Sequence, residues 1–272
     1  MAAGIGKRMQ PLTFQTPKPL VKVNGVRMID TVVDGLQKNG INKIYVVVGH
    51  LKEQFYTWGE GRAGITIIEN PYYESCNNIS SLYVAREHLS DCIILDGDQI
   101  IYNSSILDPH FNLSGYNAVW CEGETDEWLM DVDEGIVTSC SRTGGSHGWQ
   151  LYSISRWTAE DGVKLRQHLE YEFERGNTDI YWDDVAMFCH FSDYTLGIRE
   201  MNSSDIIEID NLDELVEIDH SYHNFLQRQD EDPEKSCLLQ ENNDSEKSAS
   251  AQENNDTALD NLQENKEENE NE

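Results

Sequence analysis

Between residues 26 and 98, short apolar runs take turns with segments of helical period, and that alternation leaves few folds open. Residues 26–39 set Met28, Ile29, Val32, Val33 and Leu36 on one stripe, ended by Gly40. Residues 43–48 form a β-branched run closed by Gly49, the pattern of a strand buried on both faces. Residues 51–58 read as a helix and 65–68 as a strand. Residues 79–89 read as a helix with Leu82, Ala85 and Leu89 on one face, and 92–95 as a strand running into Asp96-Gly97-Asp98. Alternating βα units predict an α/β chain with a Rossmann-like, doubly wound sheet. From about residue 115 the spacing shortens. Strands at 118–121, 128–132, 136–139 and 149–154, with turn signals between them, predict a small antiparallel extension that makes the sheet mixed. Helices resume at 158–175, where Thr158 is a candidate cap with Asp161 three residues on, and at 183–190. A late strand at 206–209 precedes a helix opened by Asn211 and Asp213.

The last 43 residues differ in kind. Residues 230–272 hold 15 acidic side chains against 3 lysines, and loosely repeat a Gln-Glu-Asn phrase at 240, 252 and 263. With so little apolar content they cannot offset their ordering entropy, so the expected organisation is a domain at 1–229 and a disordered acidic tail at 230–272. The whole chain has a net charge of -30. Nucleic acid is an unsuitable partner for it, because phosphate backbones need clustered Lys and Arg. An acidic field suits a cationic small molecule. No apolar run approaches a membrane span, and no basic stretch leads an apolar core at the N-terminus, so membrane insertion and secretion are not expected. The cysteines at 76, 92, 121, 140, 189 and 237 have no short paired spacing. They read as free thiols of a reducing compartment, which points to the cytoplasm.

Three stretches carry candidate chemistry. The chain opens Ala2-Ala3-Gly4-Ile5-Gly6-Lys7-Arg8, and Lys18 follows between Pro17 and Pro19. Small residues let a backbone come close to a ligand and offer N–H groups to phosphate oxygens, with Arg8 and Lys18 as nearby cations. Asp98 ends a buried strand, where α/β sheets place their ligands. Glu208 and Asp210 alternate along the late strand and share one face, which calls for a cation or a hydrogen-bond network. Trp128 follows Asp126-Glu127, and Tyr181-Trp182 precede Asp183-Asp184. Aromatic faces beside carboxylates are the means of holding a quaternary ammonium, although tryptophans more often pack cores.

The opening resembles the signature of nucleotidyltransferases that make NDP-sugars and CDP-alcohols, A-A-G-x-G-x-R followed by P-K-P-L. Further phrases carry the resemblance to bacterial choline-phosphate cytidylyltransferases: Gly49-His50-Leu51-Lys52, Asn77-Asn78-Ile79-Ser80-Ser81-Leu82-Tyr83, Glu127-Trp128, Tyr181-Trp182-Asp183 and Glu208-Ile209-Asp210. The likeness runs from residue 2 to about 227. It implies CTP and phosphocholine as substrates, CDP-choline and pyrophosphate as products, and magnesium as cofactor. It implies that Ala2, Ala3, Gly4, Gly6, Lys7 and Asn78 bind the nucleotide and that Arg8 and Lys18 stabilise the phosphates. Asp98 and Asp210 would hold magnesium. Trp128, Tyr181, Trp182, Asp183 and Glu208 would form the ammonium pocket, with Asp183 alternatively on the metal. No histidine is given a catalytic role, and His50 is expected to pack or hydrogen-bond. Other acceptors that fit the same signature are phosphoethanolamine, aminoethylphosphonate and a sugar 1-phosphate. A nucleotide-binding module without turnover is the reading from a different class.

One departure accompanies the resemblance. Family members open with a short apolar strand before A-A-G, and Met1 stands where that strand would be ending. The expectations are a true start upstream of Met1, a phosphate loop without its rigid anchor, and neighbouring strand edges left unpaired.

Overall fold

The structure, a computed structural model, describes residues 1–229; the expected tail at 230–272 lies outside the described residues. Three 3₁₀ turns (Lys7–Met9, Leu12–Phe14, Lys18–Leu20) lead into strands β1 (Lys22–Val23) and β2 (Val26–Arg27). Helix α1 (Met28–Lys38), β3 (Ile44–Val48), α2 (Lys52–Gly59), β4 (Ile65–Glu69), α3 (Ile79–Ala85), β5 (Cys92–Leu95) and β6 (Gln99–Ile101) follow. Then come β7 (Gly115–Thr125), β8 (Leu129–Asp133), β9 (Ile136–Ser141), β10 (Gly145–Trp157), α4 (Ala159–Glu174), a turn of helix α5 (Trp182–Asp184), β11 (Gly197–Glu200), β12 (Ile206–Glu208), α6 (Leu212–Ile218) and α7 (His223–Gln229).

The expected mixed α/β architecture is present, and its layers follow from the apolar patterns. The stripe Ile29, Val32, Val33 and Leu36 of α1 is buried with Val46 and Val48 of β3 and with Phe55 and Trp58 of α2. A second core joins α3 and α4 through Leu82, Leu165 and Leu169, with Tyr116, Trp157 and Trp182. β3 and β4 form a parallel ladder. The main sheet runs β5-β10-β7-β11-β9-β8. It is mostly antiparallel, with β11 parallel to β7. The extension is therefore larger than the sequence suggested: β7 and β10 are long strands of 11 and 13 residues, each with Gly residues and register shifts that broke the apparent alternation into short runs. The Thr158 cap holds, its hydroxyl accepting the Asp161 N–H at 3.2 Å. The segment expected as a helix at 183–190 is one α-turn followed by a π-helical stretch, Val185–Cys189.

Met1 and Ala2 lie between the ends of β3 and β5. Ala2 donates to the Val47 carbonyl at 2.8 Å and bridges Val48 in parallel sense. The Met1 amino group donates to the Leu95 carbonyl, and Gly97 N–H donates to the Met1 carbonyl at 2.8 Å. These two residues anchor the opening loop, which the sequence reading expected to lack a rigid anchor. Behind them, between β3 and β5, lies a cavity of about 550 Å³ lined by Val33, Leu36, Ile44, Val46, Ile93 and Leu95 among others. Its walls are the facing strand edges and the inner stripe of α1. Five or six apolar residues joined ahead of Met1 have the direction and composition to fill it as a strand. At about 1.5–3 kcal/mol per fully buried apolar side chain the gain is of the size of the ordering entropy, and ladder hydrogen bonds to the open edges of β3 and β5 tip the balance toward the strand. Differential scanning calorimetry should show such an extension raising the melting temperature by at least about 5 °C; an unchanged value would show that the cavity does not take a strand.

Candidate active site

The opening loop is shaped by Gly6. Its backbone is left-handed, with φ at 68°, and a Cβ there would stand 2.8 Å from the Thr13 methyl. Only glycine fits both constraints. Thr13 donates its hydroxyl to the Gly6 carbonyl at 2.8 Å and closes the loop from below. Ala2 and Ala3 are buried, while Gly4, Lys7 and Arg8 are exposed. His50 does what was expected of it: its Nε2 lies 2.8 Å from the Thr13 carbonyl, and its N–H donates to Ala3 at 3.1 Å.

Lys18 is the centre of the site. It is 8% exposed. Its Nζ lies 2.7 Å from Asp98 Oδ2 and 3.1 Å from Asp210 Oδ1. Arg8 reaches the same Asp210 oxygen at 3.0 Å. Burial pulls the Lys18 pKa down, but Asp98 and then Asp210 more than offset that pull, so the net shift is upward and the ammonium stays charged. The chain start, the end of β5 and the end of β12 thus meet at one cation.

More carboxylates surround this pair. Glu208 ends β12, opposite Gln99 of β6. It keeps a solvent-accessible edge but is largely sheltered, and burial, then Asp98, Asp96 and Asp210, push its carboxyl well above the usual range despite Lys18. Asp96 is raised to about 6 by burial first, with the N-terminal ammonium opposing and Asp98 adding. Asp183 is buried, and desolvation followed by the Asp96 charge raises it well above its ordinary value while Tyr116 opposes the shift. Asp98 Oδ1 is buried with no hydrogen-bond partner among the described residues. Among these acids Asp98 thus carries a buried carboxylate oxygen with no donor of its own. Carboxylate oxygens are the donors a hard divalent cation takes. Asp98 and Asp210 are the residues here that could hold such an ion; Glu208 feels the charge of both, and Asp183 that of Asp96.

A second cluster adjoins the first. Trp128 meets Tyr181 edge to face at 5.9 Å and Phe188 at 5.4 Å. The Arg142 guanidinium lies 3.7 Å from the Phe188 ring centroid and 5.9 Å from that of Trp128, and it pairs with the buried Asp184. Trp128, one of the rings expected to receive a cation, therefore already faces one. Trp182 is not among them. It is 1% exposed and packs against Tyr116 and Trp157 at 6.2 Å each, which corrects its expected place in the pocket wall. The indole belongs to the core because α5 is held inward: the Trp182 backbone N–H donates to Asn78 Oδ1 at 2.8 Å, and Asp184 caps the Tyr181 backbone N–H at 2.8 Å. Asn78 thus positions the aromatic segment, a task that its expected place by the nucleotide did not include.

The N-terminal half matches the MobA-like NTP transferase domain over residues 1–140. A 2-aminoethylphosphonate cytidylyltransferase from Lancefieldella rimae is 36% identical over 82% of this chain and 91% of the relative. The chain belongs to the MobA-like NTP transferase family. It is a nucleotidyltransferase. A choline-phosphate cytidylyltransferase from Streptococcus pneumoniae is 28% identical over 82% of this chain and 97% of its own. The solved structure of the CTP:phosphocholine cytidylyltransferase from that organism aligns with a TM-score of 0.75 at 29% identity, over 80% of this chain and 95% of that one. No helix among the described residues is long and apolar enough to cross a membrane.

Several neighbours of the site were not singled out in the sequence. Asp96 and Asp184 stand inside quoted acidic phrases, next to the residues chosen. Glu127 sits beside Trp128, and burial followed by the Asp210 charge raises its carboxyl. Arg142 lies in the β9–β10 turn with no motif around it, so nothing in the chain marks it. Replacing the central cation by an isosteric apolar chain, Lys18→Met, should lower nucleotide-dependent pyrophosphate release by at least about 100-fold, the scale of losing one preorganised charge. Circular dichroism should remain that of a folded protein. Turnover within threefold of the parent would remove Lys18 from the chemistry.

Proposed function

We propose that this protein transfers CMP from CTP to a small phosphate or phosphonate bearing an ammonium group, releasing pyrophosphate. The observation that carries the reading is the Lys18 ammonium set between Asp98 and Asp210, under a glycine loop and beside Arg8. An oxygen of the acceptor's phosphate or phosphonate attacks the α-phosphorus of CTP. The bond to the bridging oxygen breaks, and pyrophosphate leaves with the electron pair. The attacking oxygen is already ionised at neutral pH, so no general base is required, and the chain's work is positioning and charge stabilisation.

In this reading the backbone of the Ala3–Gly6 loop, with Lys7, faces the triphosphate, and Ala2, whose N–H is held by the Val47 carbonyl, anchors that loop. Arg8 stands by the leaving pyrophosphate and Lys18 by the α-phosphate. Asn78 supports the nucleotide side only through α5. Asp98 and Asp210 would hold magnesium, which, when bound, neutralises charge on the phosphates. Asp183 and Glu208, kept high in pKa by burial and by one another's neighbours, are relieved when a cation enters.

For the acceptor, two observations favour the primary amine of 2-aminoethylphosphonate. Trp182 lies in the core, which leaves the pocket one ring fewer. Asp184 offers hydrogen-bond acceptors that a primary ammonium uses and a trimethylammonium cannot. The higher identity to the aminoethylphosphonate enzyme agrees. Phosphocholine, implied by the resemblance, is the second reading, supported by the three ring faces of Trp128, Tyr181 and Phe188. Pyrophosphate release should be measured for each NTP against 2-aminoethylphosphonate, phosphoethanolamine, phosphocholine and glucose 1-phosphate. CTP with 2-aminoethylphosphonate should give the highest kcat/KM. Trp128→Ala should raise KM by less than about threefold for that acceptor and by about tenfold or more for phosphocholine, since only the latter depends on cation–π contacts alone. Preference for glucose 1-phosphate would discard the ammonium pocket.

A further inference from the structure

Away from the carboxylates around Lys18, two histidines and an aspartate converge. His168 sits on α4. His190 follows the π-helical stretch, and Asp193 ends the 3₁₀ turn Phe191–Asp193. Asp193 Oδ2 lies 3.5 Å from His168 Nε2 and 3.8 Å from His190 Nδ1, and the three ligand atoms fall within 4.8 Å of one another. We propose that His168, His190 and Asp193 form a second metal site, taking one borderline transition-metal ion of the zinc class.

The distances suit that ion. Tetrahedral zinc bonded at about 2.0–2.2 Å holds its ligand atoms about 3.3–3.5 Å apart, close to what Asp193 already shows with both rings. Imidazole nitrogen with one carboxylate selects zinc, cobalt or nickel over magnesium.

The outer nitrogens strengthen the case. His190 Nε2 is 2.9 Å from Glu172 Oε1, a carboxylate 1% exposed that also accepts from Arg175 and Asn177. That ionised carboxylate accepts, so Nε2 donates and Nδ1 is left with its lone pair toward Asp193. His168 Nδ1 is 2.7 Å from the Tyr194 hydroxyl, and its Nε2 faces the same carboxylate. Each imidazole is thus held from behind while its inner nitrogen looks at a shared oxygen, the outer-shell arrangement of metal-binding histidines. The rings stack at 3.8 Å and 7°. Burial, then His190, lowers the His168 pKa. One ring must turn out of the stack for both lone pairs to converge. Asp193, with its side chain 52% exposed, leaves room for a water as fourth ligand.

An ion there would tie α4 to the segment 182–193, whose first residues carry Asp183 and Asp184. The site is independent of which acceptor the enzyme uses.

The test is metal binding by the full chain without a polyhistidine tag, with excess magnesium present. Zinc competition against a chromophoric chelator should show one equivalent bound at micromolar affinity or tighter, and cobalt should give visible d–d absorption. His168→Gln and Asp193→Asn should each weaken binding by at least about tenfold. Asp193 is exposed, so its variant folds even if the His168 variant does not. Asp98→Asn should leave this binding unchanged. Absence of a zinc equivalent, unchanged affinity in Asp193→Asn, or loss confined to Asp98→Asn would each overturn the proposal.

Discussion

The Lys18 ammonium is the constraint on which the rest of the structure depends. It is nearly buried, and a buried cation without partners is costly. Asp98 and Asp210 meet that need from 80 and 192 residues further along the chain. For both to arrive, β5 must end where the opening loop begins, and β12 must lie against β6 with its last residues turned to the same point. The ion contacts and the strand ends are therefore one requirement seen twice. The surrounding acids make the arrangement provisional in charge: Lys18 and Arg8 balance Asp98 and Asp210, the N-terminal ammonium faces Asp96, and Asp183 and Glu208 remain in excess.

Much of this was legible in the chain, and what was legible has a common physical cause. β3 and β5 declared themselves because a strand buried on both faces must be continuously apolar. The Gly6 loop declared itself because a left-handed residue against Thr13 admits only glycine. Asn211 and Thr158 cap their helices because their oxygens satisfy N–H groups that the helix cannot. These are local demands, and a local demand leaves its mark in neighbouring residues.

What the chain concealed is long-range. β7 and β10 read as short strands because bulges and glycines interrupt their alternation, while their length comes from pairing with one another. Trp182 beside Asp183 looked like a pocket wall. Its burial is decided by Tyr116 and Trp157, far away in sequence, and by Asn78 holding its N–H. Arg142 carried no signal at all, since a turn arginine becomes meaningful only when Phe188, Trp128 and Asp184 are placed around it. The His168–His190 pair was passed over for the same reason: 22 residues of spacing match no ligand motif, and only the packing of α4 on the π-helical stretch brings the rings together.

The guanidinium resting on Phe188 has a consequence for how this pocket recognises anything. In the function proposed above, a cation that enters does so by exchange, displacing Arg142 from the rings and from Asp184 as it supplies another positive group. The total charge of the pocket is then conserved across binding. The displaced guanidinium stays on the chain and moves toward solvent, where salt screens it, so added salt would favour the exchange. It is severe toward neutral analogues, which would evict Arg142 and leave the buried Asp184 carboxylate bare. Selectivity would then rest on a resident competitor of fixed affinity, against which every incoming molecule is weighed.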